Sequence, residues 1–331
     1  MTIYRTAILG ATGLVGQTMR SILEERNLPL ELSMFASKNS AGKTFTFNGE
    51  EHVIEELTED ALREGKFDYV LSALDGDLAA KFCPVAAEAG TIVIDNSSHF
   101  RMAEGIPLVV PEINPEDISD KAGIIANPNC STIQSVVALK PVEDLFKMKR
   151  IVFTTFQAVS GSGVRGIADL ENGVKGKAPE FYPYPIAFNC LPHIDDFLDD
   201  GYTKEEMKMV NESRKIFHRP DLAVTATAVR VPVKGAHAIS VNVTCEKPID
   251  IDKLRAAYEA MDGVVLQDDV KNLVYPLQIN AEGKDEVFVG RIRKDDSCEN
   301  SLNLWVVADN IRKGAALNAI QILEKHLNAR A

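Results

Sequence analysis

Up to Cys130, short apolar runs alternate with segments in which apolar positions return every three or four residues. "TAILGATGLVG" reads as a strand, a glycine turn and the start of a helix that continues through "QTMRSILEERN". "LELSMFAS" and "YVLSAL" read as strands, "LAAKFCPVAAEAG" as a helix, and "TIVIDNS" and "GIIANPN" as strands again. Strand and helix periods that take turns in this way predict a parallel, doubly wound sheet.

After Cys130 the pattern changes. The long apolar segment from Ile133 to Phe146 is helical in character, and "RIVFTTFQAVS" is a strand leading into "GSGVRG". Residues 167–200, rich in Pro, Tyr and Phe, read as irregular, and "KEEMKMVNESRKIF" as a helix. "LAVTATAVRVPV" and "AHAISVNVTCE" are β-rich and close together, so a hairpin is expected. "IDKLRAAYEAM" is a helix, "EVFVGRIRK" and "SLNLWVVAD" are strands, and the amphipathic "KGAALNAIQILEKHL" closes the chain. The predicted class is α/β: a Rossmann-type doubly wound parallel sheet over residues 1–128, followed by a second, α+β domain over 129–310. The terminal helix, 311–329, is expected to pack back on the first domain.

With 331 residues the chain can hold two cores. Its formal net charge of -12 argues against nucleic-acid partners and against attraction to an anionic membrane. No run approaches the length of a membrane span, and "MTIYRTAILGATG" lacks the basic and apolar regions of a signal peptide. Five cysteines without a CxxC pair do not make a disulfide framework, so a reducing, cytoplasmic location is expected. No HExxH or paired Cys/His spacing suggests a metal.

The glycines of "GATGLVG" follow a predicted strand and open a predicted helix, the setting in which such a turn binds a dinucleotide. Gly10 permits the tight turn, Gly13 lets backbone N–H groups approach a pyrophosphate, and Gly16 allows close helix–strand packing. The spacing is GxxGxxG, a variant of GxGxxG, and a turn serving packing alone is the rival reading. At the end of the second strand an NAD site usually carries an acidic residue for the ribose hydroxyls. Here "ASKNSAGK" offers Ser37, Lys38, Asn39, Ser40 and Lys43 and no carboxylate, which favours NADP. Any one of these residues also suits a solvated loop.

"NPNCST" places a thiol at the first turn of a helix, where free N–H groups and the helix dipole stabilise a thiolate. A cysteine on a helix is more often a small buried hydrophobe. Cys83, Cys190 and Cys245 read that way, and Cys298 as exposed or in a turn. Cys130 differs in following a strand of a dinucleotide-type fold, where ligands bind, and a nucleophile there suggests aldehyde chemistry through a thioester. That chemistry needs a base. His237 stands in "RVPVKGAHAIS", seven residues after Arg230, although by spacing alone the two read first as a structural pair.

Taken in order, "GATGLVG", "SSHFRM", "NPNCST", "FQAVSGSG", "NESRKI", "RVPVKGAH" and "ADNIRKGAA" closely resemble the aspartate-semialdehyde dehydrogenase family in its bacterial, NADP-dependent form, over essentially the whole chain. The resemblance implies NADPH-dependent reductive dephosphorylation of aspartyl 4-phosphate to aspartate 4-semialdehyde. That step lies in the branch leading to lysine, threonine, methionine and isoleucine. It makes Cys130 the nucleophile, His237 the general acid/base and Gln157 the residue that orients substrate beside the thiol. Arg230 would hold the α-carboxylate, Glu212 the amino group, Arg101 and Lys215 the phosphate, with Asn129 a further substrate contact. Gly10, Thr12, Gly13, Leu14, Val15, Ser37, Asn39, Ser40, Ser160, Gly161 and Asn310 would contact the cofactor. Many relatives carry an arginine where Asn39 stands; Lys38 supplies a positive charge beside it. A homodimer or homotetramer is implied, with the second domain forming the interface. The rivals are an N-acetylglutamyl-phosphate reductase, whose cysteine motif is GCY-like where Asn129 and Ser131 flank Cys130 here, and a non-catalytic dinucleotide-binding protein.

Overall fold

The structure, a computed structural model, describes residues 2–119 and 121–330, without the side chain of residue 330. Contacts between residues divide the chain into two units, Met1–Asn129 with Ala315–Ala331, and Cys130–Gly314.

The first unit is built on β1 (Tyr4–Leu9), α1 (Leu14–Arg26), β2 (Leu30–Ala36), β3 (Thr44–Phe47), β4 (Glu50–Val53), β5 (Glu55–Glu56), α2 (Glu59–Gly65), β6 (Tyr69–Ser72), α3 (Gly76–Glu88), β7 (Ile92–Asp95) and β8 (Gly123–Ala126). Six of these strands form one sheet in the order β5-β2-β1-β6-β7-β8, and every pairing is parallel. This is the doubly wound sheet that the alternating pattern predicts. β3 and β4 form a separate antiparallel pair, which the apolar pattern did not announce because only Phe45 and Phe47 turn inward. The last helix belongs to this core. Ala316, Leu317, Ala319, Ile320, Ile322, Leu323 and Leu327 share one buried cluster with Ile8, Met19, Tyr69, Ile94 and Ile125. Tyr69 Oη and His326 Nδ1 add a buried hydrogen bond of 2.8 Å.

The second unit runs through α4 (Cys130–Phe146), β9 (Met148–Gln157), α5 (Gly163–Val174), α6 (Lys204–Ile216), β10 (Ala223–Arg230), β11 (His237–Cys245), α7 (Ile251–Glu259), β12 (Val264–Leu266), α8 (Gln278–Ala281), β13 (Val287–Lys294) and β14 (Ser301–Ala308). A π-helical turn, Arg312–Leu317, then leads into α9 (Asn318–Arg330) of the first unit. The mixed sheet has the order β10-β9-β11-β14-β13-β12. One face carries helices: α4 on β9, β11, β13 and β14, and α6 on β10. On the other face Val152, Thr154, Phe156, Ser240, Asn242, Asn303 and Trp305 are half-buried, alternating with buried residues of the helix side.

Three expectations are corrected here. β10 and β11 do not form a hairpin: β9 lies between them, parallel to β10 and antiparallel to β11. The connection from Val231 to Ala236 therefore crosses a strand instead of folding back in a tight turn. Residues 163–174 are helical although 167–200 read as irregular, because Gly166 and Gly173 lower helix propensity in the sequence. Gly166 is nonetheless required, since a Cβ there would lie 2.5 Å from Val159 O. Cys190, read as buried, is exposed, whereas Cys83 and Cys245 are buried and Cys298 is exposed.

Candidate active site

The turn between β1 and α1 is made by glycines that cannot be replaced without moving backbone. Gly10 has φ +75°, and a Cβ on it would lie 2.6 Å from Ala73 O. A Cβ on Gly16 would lie 2.5 Å from Gly10 O and 2.8 Å from Ala11 Cα, so helix and turn touch backbone to backbone. The opening of α1 differs from that of its neighbours. Thr58 caps α2 and Asp75 caps α3 with side-chain oxygens, each helix with acidic residues in its first turn. Gly13 at the start of α1 offers no side-chain cap, and the first turn holds no acid. Free N–H groups and an uncompensated helix dipole suit a phosphate. Thr12, Leu14 and Val15 lie half-buried along this turn. Ser37, Lys38 and Asn39 are exposed beyond the carboxyl end of β2, with Ser40 half-buried in the same loop. These features fit a dinucleotide.

In the second unit, Cys130 opens α4 and is half-buried. Gly314 presses against it: a Cβ at 314 would come to 2.9 Å from Cys130 Cβ. One turn further on, Gln134 donates from Nε2 to the main-chain oxygen of His237 at 3.1 Å, which ties the start of α4 to the start of β11. His237 is wholly buried. The residue before it, Ala236, takes a left-handed conformation at φ 61°, costly for alanine, and Gln278 holds its carbonyl at 2.8 Å. The Ala158 N–H donates to His237 Nδ1 at 3.0 Å. Nδ1 is therefore an acceptor, and in the neutral ring the proton sits on Nε2. Burial, reinforced by the Arg230 charge, pulls the His237 pKa down to about 3, so the neutral form prevails.

Arg230 ends β10. Its Nη1 donates to the carbonyl of the same Ala158 at 2.7 Å. One residue thus holds both side chains, through its N–H and its carbonyl. Gly161 marks the space they share: a Cβ there would lie 2.9 Å from Arg230 Nη1 and 3.3 Å from His237 Nε2. His237 Nε2, Arg230 Nε and Asn310 Nδ2 are buried without a hydrogen-bond partner among the described residues. Buried donors of this kind cost free energy unless something accepts from them. Asn310 is held on its other side by Ser160 Oγ, which donates to Oδ1 at 3.0 Å.

Family models match both halves of the chain. Residues 5–121 match the description "Semialdehyde dehydrogenase, NAD binding domain", and residues 139–313 match "Semialdehyde dehydrogenase, dimerisation domain". The chain belongs to the semialdehyde dehydrogenase family. An aspartate-semialdehyde dehydrogenase of Aquifex aeolicus is 52% identical over 97% of both chains. Aspartate-semialdehyde dehydrogenase 2 of Vibrio cholerae is 49% identical, again over 97% of each. A crystal structure of aspartate semialdehyde dehydrogenase II from Vibrio cholerae, complexed with ASA, superposes with a TM-score of 0.94 at 47% identity, covering 99% of each chain.

The remaining candidates fall in two groups. Asn129 and Arg101 belong to the first unit, both buried. The Arg101 guanidinium is oriented by two main-chain acceptors, Asn127 O at 2.9 Å from Nε and Asn96 O at 3.0 Å from Nη2. Glu212 and Lys215 stand three residues apart on α6, the first buried and the second half-buried. Gln157 ends β9 and is the register partner of Arg230 in the parallel pair, so the two side chains stand side by side on the helix-covered face. Sequence reasoning missed Ala158, whose contribution is backbone alone and leaves no signal. It also missed Gln134, which a four-residue spacing from Cys130 could have flagged. Among the described residues no group of three or more His, Cys, Asp or Glu is arranged to hold a metal, and no helix is long and apolar enough to cross a membrane.

Proposed function

We propose that the protein is an NADP-dependent, phosphorylating aspartate-semialdehyde dehydrogenase acting in the cytoplasm. The observation that carries this reading is the pairing of a buried, neutral imidazole with a buried guanidinium around the space at Gly161, in the same unit as a thiol at a helix start. The names of relatives at 49–52% identity support the substrate.

In the reductive direction the Cys130 thiolate attacks the acyl carbon of aspartyl 4-phosphate. The C–S bond forms, the C–O bond to phosphorus breaks, and inorganic phosphate leaves with the electron pair. NADPH, when bound, supplies the hydride that reduces the thioester. The Nε2–H of His237 stabilises and then protonates the oxygen on which charge develops. His237 takes that proton back as the C=O reforms and the C–S bond breaks, and Cys130 leaves as the thiolate with which it began. Arg230 grips the α-carboxylate with its planar fork, Glu212 accepts from the ammonium group, and Arg101 and Lys215 hold phosphate. Gln157 orients the acyl group, and Asn129 is a further substrate contact. The decisive assay mixes aspartate semialdehyde, phosphate and NADP with the purified protein and follows NADPH absorbance. No absorbance change with these three reactants overturns the reading.

The NADP preference rests on the loop after β2. With Ser37, Lys38, Asn39 and Ser40 there and no acid before Glu50, nothing repels a 2′-phosphate. NADP should give the higher kcat/KM, and Ser40→Asp should erase or reverse that preference by like-charge repulsion. Equal use of both cofactors by the unaltered protein would contradict this.

The two anions of the substrate should separate in kinetics. Arg230→Ala should raise KM for aspartate semialdehyde by about 30-fold or more, as loss of a charged hydrogen-bonding partner costs on the order of 2–4 kcal/mol. Arg101→Ala should mainly raise KM for phosphate. Paired KM series, each with the other substrate saturating, read this directly. If Arg101→Ala weakens semialdehyde and spares phosphate, the assignments are reversed.

The helix-free face of the second unit's sheet supports a homodimer. It presents half-buried Phe156 and Trp305, and Leu273, Leu277 and Ile279 are exposed at 74%, 44% and 79%. Apolar surface of this extent marks an interface, and the family description of this domain as a dimerisation domain agrees. Sedimentation equilibrium measures the mass; a monomer at micromolar concentration would refute it.

A further inference from the structure

Gln157 is 1% exposed, so the direction of its amide is set by its neighbours and not by solvent. Its Nε2 faces two acceptors, Thr155 Oγ1 at 3.3 Å and Glu205 Oε1 at 3.2 Å. Glu205, on the first turn of α6, is itself 5% exposed. Its second oxygen accepts from Lys208 Nζ at 3.1 Å, and Lys208 in turn donates to Asp195 at 2.6 Å. A chain of alternating charge thus runs from the buried end of β9 out to the surface.

From this juxtaposition we propose that Glu205 is a positioning residue that fixes the orientation of the Gln157 amide. The inference rests on the reading of Gln157 as the residue that orients substrate. A carboxylate can only accept hydrogen bonds. Facing Glu205, the amide must present its NH2 group, because a flipped amide would set a carbonyl oxygen against a carboxylate oxygen. The Gln157 carbonyl oxygen is therefore turned away from α6, on the strand end where Arg230 stands beside it. Thr155 could not enforce this alone, since its hydroxyl donates and accepts equally well. Lys208 makes the arrangement tolerable by bringing a positive charge to the buried carboxylate. The charge pattern repeats along the helix: Glu205 and Lys208 stand seven residues before Glu212 and Lys215. One pair supports the strand-end amide and the other is assigned to substrate.

The test is a charge swap with kinetics in the oxidative direction. Glu205→Gln keeps the volume but can present either end of its amide, so kcat should fall about 10-fold, the usual scale for removing an outer support of a site residue, with KM for aspartate semialdehyde changing less than about 3-fold. Gln157→Glu alone sets two carboxylates face to face and should lower kcat by about 100-fold. The double variant, Gln157→Glu with Glu205→Gln, again pairs one acceptor with one amide and should recover about 10-fold over Gln157→Glu. Melting temperatures identify any variant that fails to fold, and if Glu205→Gln is one of them the comparison of Gln157→Glu with the double variant decides. A double variant no better than Gln157→Glu, or Glu205→Gln with kcat within 2-fold of the unaltered protein, overturns the proposal. Inactivity of the unaltered protein toward aspartate semialdehyde would instead overturn the functional reading and leave a separate, visible failure.

Discussion

Cys130→Ala should lower turnover by at least about 10⁴-fold while the protein remains folded. The side chain is half-buried at the first position of α4, where alanine is a good helix residue and loses only one sulfur's worth of packing. No other described thiol can take over: Cys83 and Cys245 are buried, with burial holding Cys83 far above the usual thiol range and Cys245 up at about 12. Cys190 and Cys298 are exposed in other parts of the chain. Cys130→Ser should be nearly as inactive, because a hydroxyl is not ionised by a helix start. Mass spectrometry of the unaltered protein, given acyl phosphate without reduced cofactor, should find an acyl group on Cys130. Turnover by the alanine variant comparable with that of the unaltered protein would end the covalent mechanism.

His237→Asn should cost about 10²–10⁴-fold in kcat, the range for loss of a positioned acid/base. Asparagine can still offer an oxygen to the Ala158 N–H, so the surrounding turn keeps its acceptor while the Nε2–H is lost. The same variant has a stability signature. With a pKa of about 3 in the fold and an ordinary value near 6.5 when unfolded, His237 is protonated only in the unfolded chain between those limits. The unfolded state then binds more protons, so stability rises with pH across that window and is lost on acidification below about 6.5. Melting temperature against pH should fall less steeply between pH 6.5 and 4 in His237→Asn than in the unaltered protein. Parallel curves would show that His237 charges without penalty in the fold.

How far the sequence carried depends on whether a feature is local. The first sheet was legible because β1, β2, β6 and β7 alternate with helical stretches of a different period. The second sheet was not, because its pairing is non-local: β10 and β11 are neighbours in sequence yet lie on either side of β9. Turn signals near Gly235 are compatible with either arrangement. Cys130, Arg230 and His237 were nominated by motif, but the geometry of Arg230 and His237 comes from Ala158, whose side chain takes no part. Glu205 escaped notice because a glutamate in the first turn of a helix is expected on electrostatic grounds alone. Its contact with Gln157 sets it apart from Glu206, which serves the capping box with Thr203.

The return of α9 to the first core has a consequence for how the chain is made. Leu317, Ile320, Leu323 and Leu327 complete a cluster begun by Ile8 and Met19, so a segment translated early waits for one translated late. At roughly 5–20 residues per second, the stretch after Asn129 takes the ribosome on the order of 10–40 s. The whole of Cys130–Gly314 is synthesised in that interval, while an open parallel sheet stands exposed. A chain that stops before Ala315, once released from the ribosome, should therefore present a protease-resistant second unit and a first unit that chaperones still hold.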